Sequence, residues 1–90
     1  MSRWFRFYDD VLDDPKVQRL SPHLFKTWMN LLCLASKHNG KLPSNDDIAF
    51  CLRMSVQDAA QHVDDLILAS LIDIDSNGSK SPHNWSGRQY

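Results

Sequence analysis

Two glutamines on one predicted helix are the residues of this sequence best suited to reading nucleic-acid bases. Gln57 and Gln61 lie one helical turn apart, and a glutamine side chain can form two hydrogen bonds with adenine in the major groove. Asp58, Asp64 and Asp65 belong to the same helix, and phosphates would repel their carboxylates. The alternative is a solvated acidic face on which Asp58 stabilises the helix N-terminus, and the charges favour this alternative.

Basic residues, which would have to supply contacts to phosphates, are distributed unevenly along the chain. Residues 43–75 hold seven aspartates and one basic residue, Arg53, so this segment carries −6 while the rest carries +5 and the whole chain −1. The other basic residues are Arg3, Arg6, Lys16, Arg19, Lys26, Lys37, Lys41, Lys80 and Arg88. Either they converge on one face that binds the DNA backbone with little sequence preference, or they are scattered surface charges. In the first case the contacting residues are Lys80 at the tip of a predicted hairpin, Arg53, Gln57, Gln61, Lys41, Arg3 and Arg6.

Aromatic residues are concentrated at the two ends of the chain. They could form a platform on which single-stranded bases stack, or they could be core and a self-association surface. We expect core plus a dimer interface, because aromatic residues are enriched at interfaces. We also expect Trp85 to pack back on the domain near Trp4 or Phe7. The residues expected at the interface are Trp4, Phe5, Phe7, Tyr8, Trp85 and Tyr90.

No group of residues has the spacing of a catalytic or metal site. The histidines (His23, His38, His62 and His83) are far apart in the sequence, and the aspartates before Pro15 suit helix capping better than metal binding. Three glycines leave little material for a phosphate-binding loop. We therefore expect no enzymatic activity, no cofactor and no metal. Cys33 and Cys51 lie among apolar residues, and we expect both to be buried free thiols.

Helix start and stop signals divide the sequence into short elements. Asp14-Pro15 begins a short helix to residue 20, and Ser21-Pro22 begins a longer one that ends before Asn39-Gly40. Ser44 and Ser55, each followed three residues later by aspartate, begin two closely spaced helices over residues 45–53 and 56–70. A strand over residues 71–75, an Asn-Gly turn and a short return strand from Lys80 follow.

The order of these elements predicts the fold class. Two apolar-faced helices joined by a few residues must cross steeply to share one core, which is helix-turn-helix geometry. With the hairpin behind it, the sequence predicts a mainly α fold with a small β-hairpin, a winged helix-turn-helix. The 90 residues suffice for one domain, with the helix-turn-helix at about 44–70 and the wing at about 71–83. Because the N-terminus lacks the apolar run of a signal peptide and no stretch could span a bilayer, we expect a cytoplasmic protein.

Several motifs resemble those of a group of phage and prophage replication proteins, similar in their N-terminal region to replisome organisers and primosome-loading proteins. The resemblance covers nearly the whole chain. Its most specific parts are Trp4-Phe5-Arg6-Phe7-Tyr8, Val11-Leu12-Asp13-Asp14-Pro15-Lys16-Val17-Gln18, and the closing His83-Asn84-Trp85 with Gly87-Arg88-Gln89-Tyr90.

The resemblance implies a non-catalytic winged-helix module of a replication initiation protein. Such a module would take part in weak, mostly backbone-directed DNA association, in self-association, and in recruitment of replication proteins such as a helicase or its loader. No membrane partner is expected. Two alternatives stay open: a protein-interaction or oligomerisation domain that never binds DNA, and a winged-helix transcriptional regulator. The regulator would need a base-reading helix, for which the acidic helix of residues 56–70 is poorly equipped.

Overall fold

Short helices and one β-hairpin make up the computed structural model, which describes residues 3–89. Residues 3–8 have no regular secondary structure, and a short 3-10 helix covers Asp9–Asp13. The other elements are α1 (Pro15–Gln18), α2 (Pro22–Lys37), α3 (Asn45–Leu52), α4 (Val56–Leu68), β1 (Ile72–Ile74), β2 (Lys80–Pro82) and α5 (Trp85–Gln89). The fold is therefore mainly helical with a small antiparallel sheet.

Side-chain caps fix the first residues of four helices at the predicted positions. In each case an aspartate or serine oxygen accepts a hydrogen bond from an otherwise unpaired backbone N–H of the first turn. The caps are Asp14 to Lys16 N at 3.0 Å, Ser21 to Leu24 N at 3.1 Å, Ser44 to Asp47 N at 3.2 Å and Ser55 to Asp58 N at 3.0 Å.

Left-handed residues close α2, α3 and α4. Asn39, Arg53 and Ser70 have φ of 57°, 58° and 63°. In each case the next amide donates back to a carbonyl in the last turn of the helix, as Gly40 N does to Ala35 O at 2.8 Å. The predicted stop at Asn39-Gly40 is confirmed. The left-handed turns at Arg53 and Ser70 end α3 and α4 one and two residues earlier than the sequence signals indicated.

The predicted hairpin is confirmed, with Ile72 opposite Pro82 and Ile74 opposite Lys80. The Asp75 carboxylate orders the loop between the strands, because it accepts from two backbone amides, Asn77 N and Ser79 N, each at 2.9 Å. Outside the hairpin, Leu42 forms an antiparallel bridge with Lys80, in which Leu42 N donates to Lys80 O at 2.9 Å. This bridge attaches the connection between α2 and α3 to the sheet.

The core lies where α2, α3, α4 and the sheet meet. Its most completely buried side chains are Leu31, Ile48, Val63 and Leu66. One polar group joins the core: Thr27, only 3% exposed, places its Oγ1 2.9 Å from His62 Nδ1. This hydrogen bond links α2 to α4 and satisfies a hydroxyl that would otherwise destabilise the interior.

The expectation of buried cysteines is wrong, although both thiols are free. Cys33 and Cys51 are exposed. Cys33 lies seven residues after Lys26 and four before Lys37, and helical periodicity places all three on the solvent face of α2. Cys51 lies four residues, or about one turn of α3, after exposed Asp47 and therefore on the same solvent-facing side of that helix. Among the residues that the structure describes, no helix is long and apolar enough to cross a membrane.

Candidate functional site

Hydrogen bonds between the two ends of the chain hold the aromatic N-terminal segment on the domain. The Gln89 side-chain amide donates to Arg6 O at 3.0 Å and accepts from Arg6 N at 2.8 Å. The Tyr8 hydroxyl donates to Arg88 O at 2.7 Å. The Arg88 guanidinium lies 5.1 Å from the centroid of the Tyr8 ring and donates to Asp10 at 3.2 Å. Helix α5, which the sequence did not predict, therefore fixes residues 5–10.

Trp85 lies at the centre of this arrangement. Its ring centroid is 6.0 Å from that of Phe5, and its indole lies directly over Gly40. It lines a depression shared with Trp4 and a separate cavity shared with Phe7. The expectation that Trp85 packs back on the domain is confirmed, and its stacking partner is Phe5.

An apolar cavity of about 180 Å³ lies under the N-terminal segment. Its walls are mainly aromatic and aliphatic, and its apolar lining residues are Phe5, Phe7, Tyr8, Val11, Val17, Trp28, Leu32, Leu71, Pro82 and Trp85. Four of the six residues predicted at an interface thus line this cavity near buried Trp28; Phe5 and Trp85 pack against the core, whereas Phe7 and Tyr8 stay exposed. Trp4 does not line the cavity, and Tyr90 lies outside the described residues.

A second, shallower depression has basic and aromatic walls. We call it the arginine depression; it measures about 360 Å³ and is lined by Arg3, Trp4, Phe5, Arg6, Ser36, Asn39, Trp85 and Gln89. No acidic side chain is among these residues. The Arg3 guanidinium donates to Ser36 O at 3.1 Å, at the C-terminal end of α2. Trp4 is 74% exposed.

The arginines of this depression are among the basic residues that form no salt bridge with a described residue, a group that also contains Arg19, Lys26, Lys37, Lys41, Arg53 and Lys80. Lys16 lies 3.5 Å from Asp14, and Arg88 lies 3.2 Å from Asp10. Within residues 3–89, Arg3 and Arg6 form no salt bridge. Their charges are therefore available to an anionic ligand.

The surface of α3 and α4 has the acidic character that the sequence predicted. Gln57 and Gln61 are exposed on α4, together with Asp58 and Asp64. Gln61 Nε2 donates to Asp65 Oδ1 at 2.9 Å, so a carboxylate already engages one of the amides proposed to read bases. Arg53 is exposed in the left-handed turn between α3 and α4 and is the one basic residue of this surface.

Lys80 does not lie at the tip of the hairpin, contrary to the prediction. It is half-buried within β2, paired with Ile74 on one side and bridged to Leu42 on the other. The loop of residues 75–79 forms the tip and contains no basic residue. Lys41 is exposed beside the same bridge, in a depression that also contains Asp73.

The residues predicted to contact DNA therefore occupy three separate parts of the molecule. Arg3 and Arg6 share the arginine depression, and Lys41 and Lys80 lie at the sheet. Arg53, Gln57 and Gln61 lie in α4 and in the turn before it. The sequence did not reveal Ser36, Asn39 and Gln89 as neighbours of the two arginines. These three residues are at least 30 positions away from Arg3 and Arg6 along the chain, and no local pattern marks contacts between such distant residues.

Comparisons with protein-family models, curated proteins and solved structures find no match. Any functional assignment therefore rests on this chain's own residues. Within the described part of the chain, no three histidine, cysteine or aspartate side chains come together in a way that could hold a metal ion.

Proposed function

We propose that this domain is a non-catalytic winged-helix module of a phage-type DNA replication protein, which acts in nucleic-acid association and protein assembly. The bridge between Leu42 and Lys80 supports the winged-helix part of the proposal, and the resemblance of the motifs near the two chain ends supports its replication part. A winged helix has a short strand between its first two core helices, and this strand joins the hairpin as a third strand. Leu42 lies between α2 and α3, and the order α2, bridge, α3, α4, hairpin supports the winged-helix assignment.

The charges of α4 favour a mode of association that does not insert this helix into a DNA groove. Asp58, Asp64 and Asp65 would approach the phosphates on both sides of the groove. Arg3 and Arg6 form no salt bridge with any described residue, and the lining of the arginine depression contains no carboxylate, although Arg6 also borders the cavity that Asp14 lines. Association through backbone contacts at this surface would show little sequence preference.

Fluorescence anisotropy with labelled duplex and single-stranded oligonucleotides tests the nucleic-acid part. We expect weak binding at low salt and a shallow dependence of log K on log salt, with a slope of about −2 to −3 for two or three phosphate contacts. The double variant Gln57→Ala/Gln61→Ala should bind as the wild type does, because α4 is not expected to read bases. Loss of sequence-selective duplex binding in this variant would instead favour the transcriptional regulator. Absence of binding to both nucleic acids at low salt would contradict the proposal.

A protein-interaction domain without nucleic-acid binding is the second candidate. The acidic surface of α3 and α4 favours it, as do the exposed aromatic side chains Trp4, Phe7 and Tyr8. Analytical ultracentrifugation over a wide concentration range tests self-association. This second candidate predicts a reversible dimer that Trp4→Ala weakens, and a strict monomer at high concentration would contradict it.

A further inference from the structure

The arginine depression combines the two chemical groups that proteins use to bind single-stranded nucleic acids. Such sites need positive charge along the phosphate backbone and an accessible aromatic face on which a base can stack. We infer that this depression binds a single strand of DNA or RNA, with a base stacked on Trp4 and phosphates bound by Arg3 and Arg6. This inference rests on the proposed nucleic-acid association and names its site and ligand.

The arginine depression carries positive charge. Arg3 and Arg6 are the basic residues of its lining, and that lining contains no carboxylate. One Arg3 Nη1–H bonds to Ser36 O at 3.1 Å, which orients the guanidinium while leaving other N–H donors for a ligand. An arginine can hold two phosphate oxygens at once, so an oriented guanidinium without an ion-pair partner suits a phosphate.

The Trp4 side chain is accessible to a ligand. It is 74% exposed, whereas Trp28 is buried and Trp85 is held against Phe5 and Gly40. An indole that contributes so little to the core leaves its surface available to a base. Stacking of this kind tolerates any base, because every base presents a flat π surface.

The geometry favours single strands over duplexes. Stacking on a protein side chain requires a base that has left its own stack, and a duplex releases bases only at an energetic cost. The acidic α4 further disfavours duplex binding in the usual helix-turn-helix orientation. A single strand at the arginine depression avoids both the cost of unstacking duplex bases and the repulsion by the acidic α4.

The experiment titrates the full chain with labelled oligothymidylate and oligouridylate of about 8 nucleotides, within the range of single-strand site sizes. Trp4→Ala removes the stacking surface and should weaken binding of both by about 10-fold. The pair Arg3→Ala/Arg6→Ala should weaken binding at low salt and make the slope of log K against log salt shallower by about 1.4, since each single-strand phosphate contact contributes about 0.7. Binding of either oligonucleotide that the depression variants weaken supports the site.

Matched variants elsewhere on the surface serve as controls. Leu68→Ala removes another exposed apolar side chain, 84% exposed at the end of α4, and should leave the affinity unchanged. Arg19→Ala/Lys26→Ala removes the same charge from exposed positions outside the depression and should leave the slope unchanged. Circular dichroism should show all these variants folded, because the substituted side chains are exposed.

The outcomes separate this inference from the proposed function. If the wild type binds single strands and the depression variants bind no more weakly than their controls, the site lies elsewhere and only the inference is overturned. The same holds if the wild type binds duplex DNA but not single strands. If the wild type binds neither at low salt, the nucleic-acid part of the proposed function fails, and the inference fails with it.

Discussion

Gly40 is the residue whose identity most directly governs how the N-terminal segment and α5 pack together. Its φ is +90°, a conformation that residues with a Cβ rarely adopt, and a Cβ built there would lie 2.5 Å from Trp85 Cδ1. The absence of a side chain thus allows the indole of Trp85 to lie on the backbone at the end of α2. Because Trp85 also packs on Phe5, this close approach positions the N-terminal segment as well.

Substitution of Gly40 by alanine should therefore cost more than backbone strain alone. We expect Gly40→Ala to lower the free energy of unfolding by about 3 kcal/mol, from left-handed strain and displacement of the Trp85 ring together. Gly78→Ala is the matched control, because Gly78 has a φ of +82° but no atom within 4 Å of the added Cβ. It should cost only about 1 kcal/mol. Urea unfolding measures both, and equal losses would show that the contact with Trp85 contributes nothing.

At the scale of elements, residues at the two ends of α3 and α4 fix where these helices begin and stop. Serine caps begin α3 and α4, and the left-handed residues Arg53 and Ser70 end them. The tight reversal at Arg53 leaves three residues between the helices, which forces them to cross and bury Ile48 and Val63 together. The left-handed conformation strains each of these two residues, since their side chains crowd the backbone.

Replacing Ser70 by glycine should relieve part of this strain. We expect Ser70→Gly to raise the free energy of unfolding by about 0.5 kcal/mol, because the removed steric cost exceeds the extra entropy that glycine loses on folding. Ser36→Gly is the control, because Ser36 lies within α2, where glycine is less favourable than serine. This substitution should lower the free energy of unfolding by about 0.5 kcal/mol. Thermal and urea unfolding give both values, and a loss of stability in Ser70→Gly would contradict this account of the end of α4.

At the scale of the whole molecule, the two ends of the chain form one surface. Gln89 and Arg6 lie 83 positions apart in sequence and are joined by two hydrogen bonds. Tyr8 and Arg88 add a third hydrogen bond and a cation–π contact. The arginine depression and the cavity under the N-terminal segment exist because these contacts hold the N-terminal segment against α5, which bounds both.

Loss of the Gln89 side chain should open this surface without unfolding the core. We expect Gln89→Ala to speed hydrogen exchange of the Arg6 amide by about tenfold, because the amide loses its acceptor at 2.8 Å. Exchange of amides in α2 and α4 should be unaffected. Gln57→Ala, on the exposed face of α4, should leave the Arg6 amide unchanged. Unaltered exchange at Arg6 in Gln89→Ala would mean that other contacts hold the segment.

Sequence alone determined the features that depend on neighbouring residues. The caps at Asp14, Ser21, Ser44 and Ser55 involve atoms two or three residues apart, so local patterns revealed them. The Asn77-Gly78 turn signalled the hairpin for the same reason. Segregation of acidic residues into the helix-turn-helix was also visible in the sequence.

Tertiary structure decided what depends on distant residues and on the orientation of helix faces. The bridge between Leu42 and Lys80 moved Lys80 from the expected hairpin tip into the sheet, and the rotation of α2 exposed Cys33. The return of α5 placed Gln89 beside Arg6 and closed the arginine depression around Trp4. The order of residues in the sequence showed that arginines and aromatic residues are present near the N-terminus. Their grouping on one surface arises from contacts across almost the whole chain, which no local pattern records.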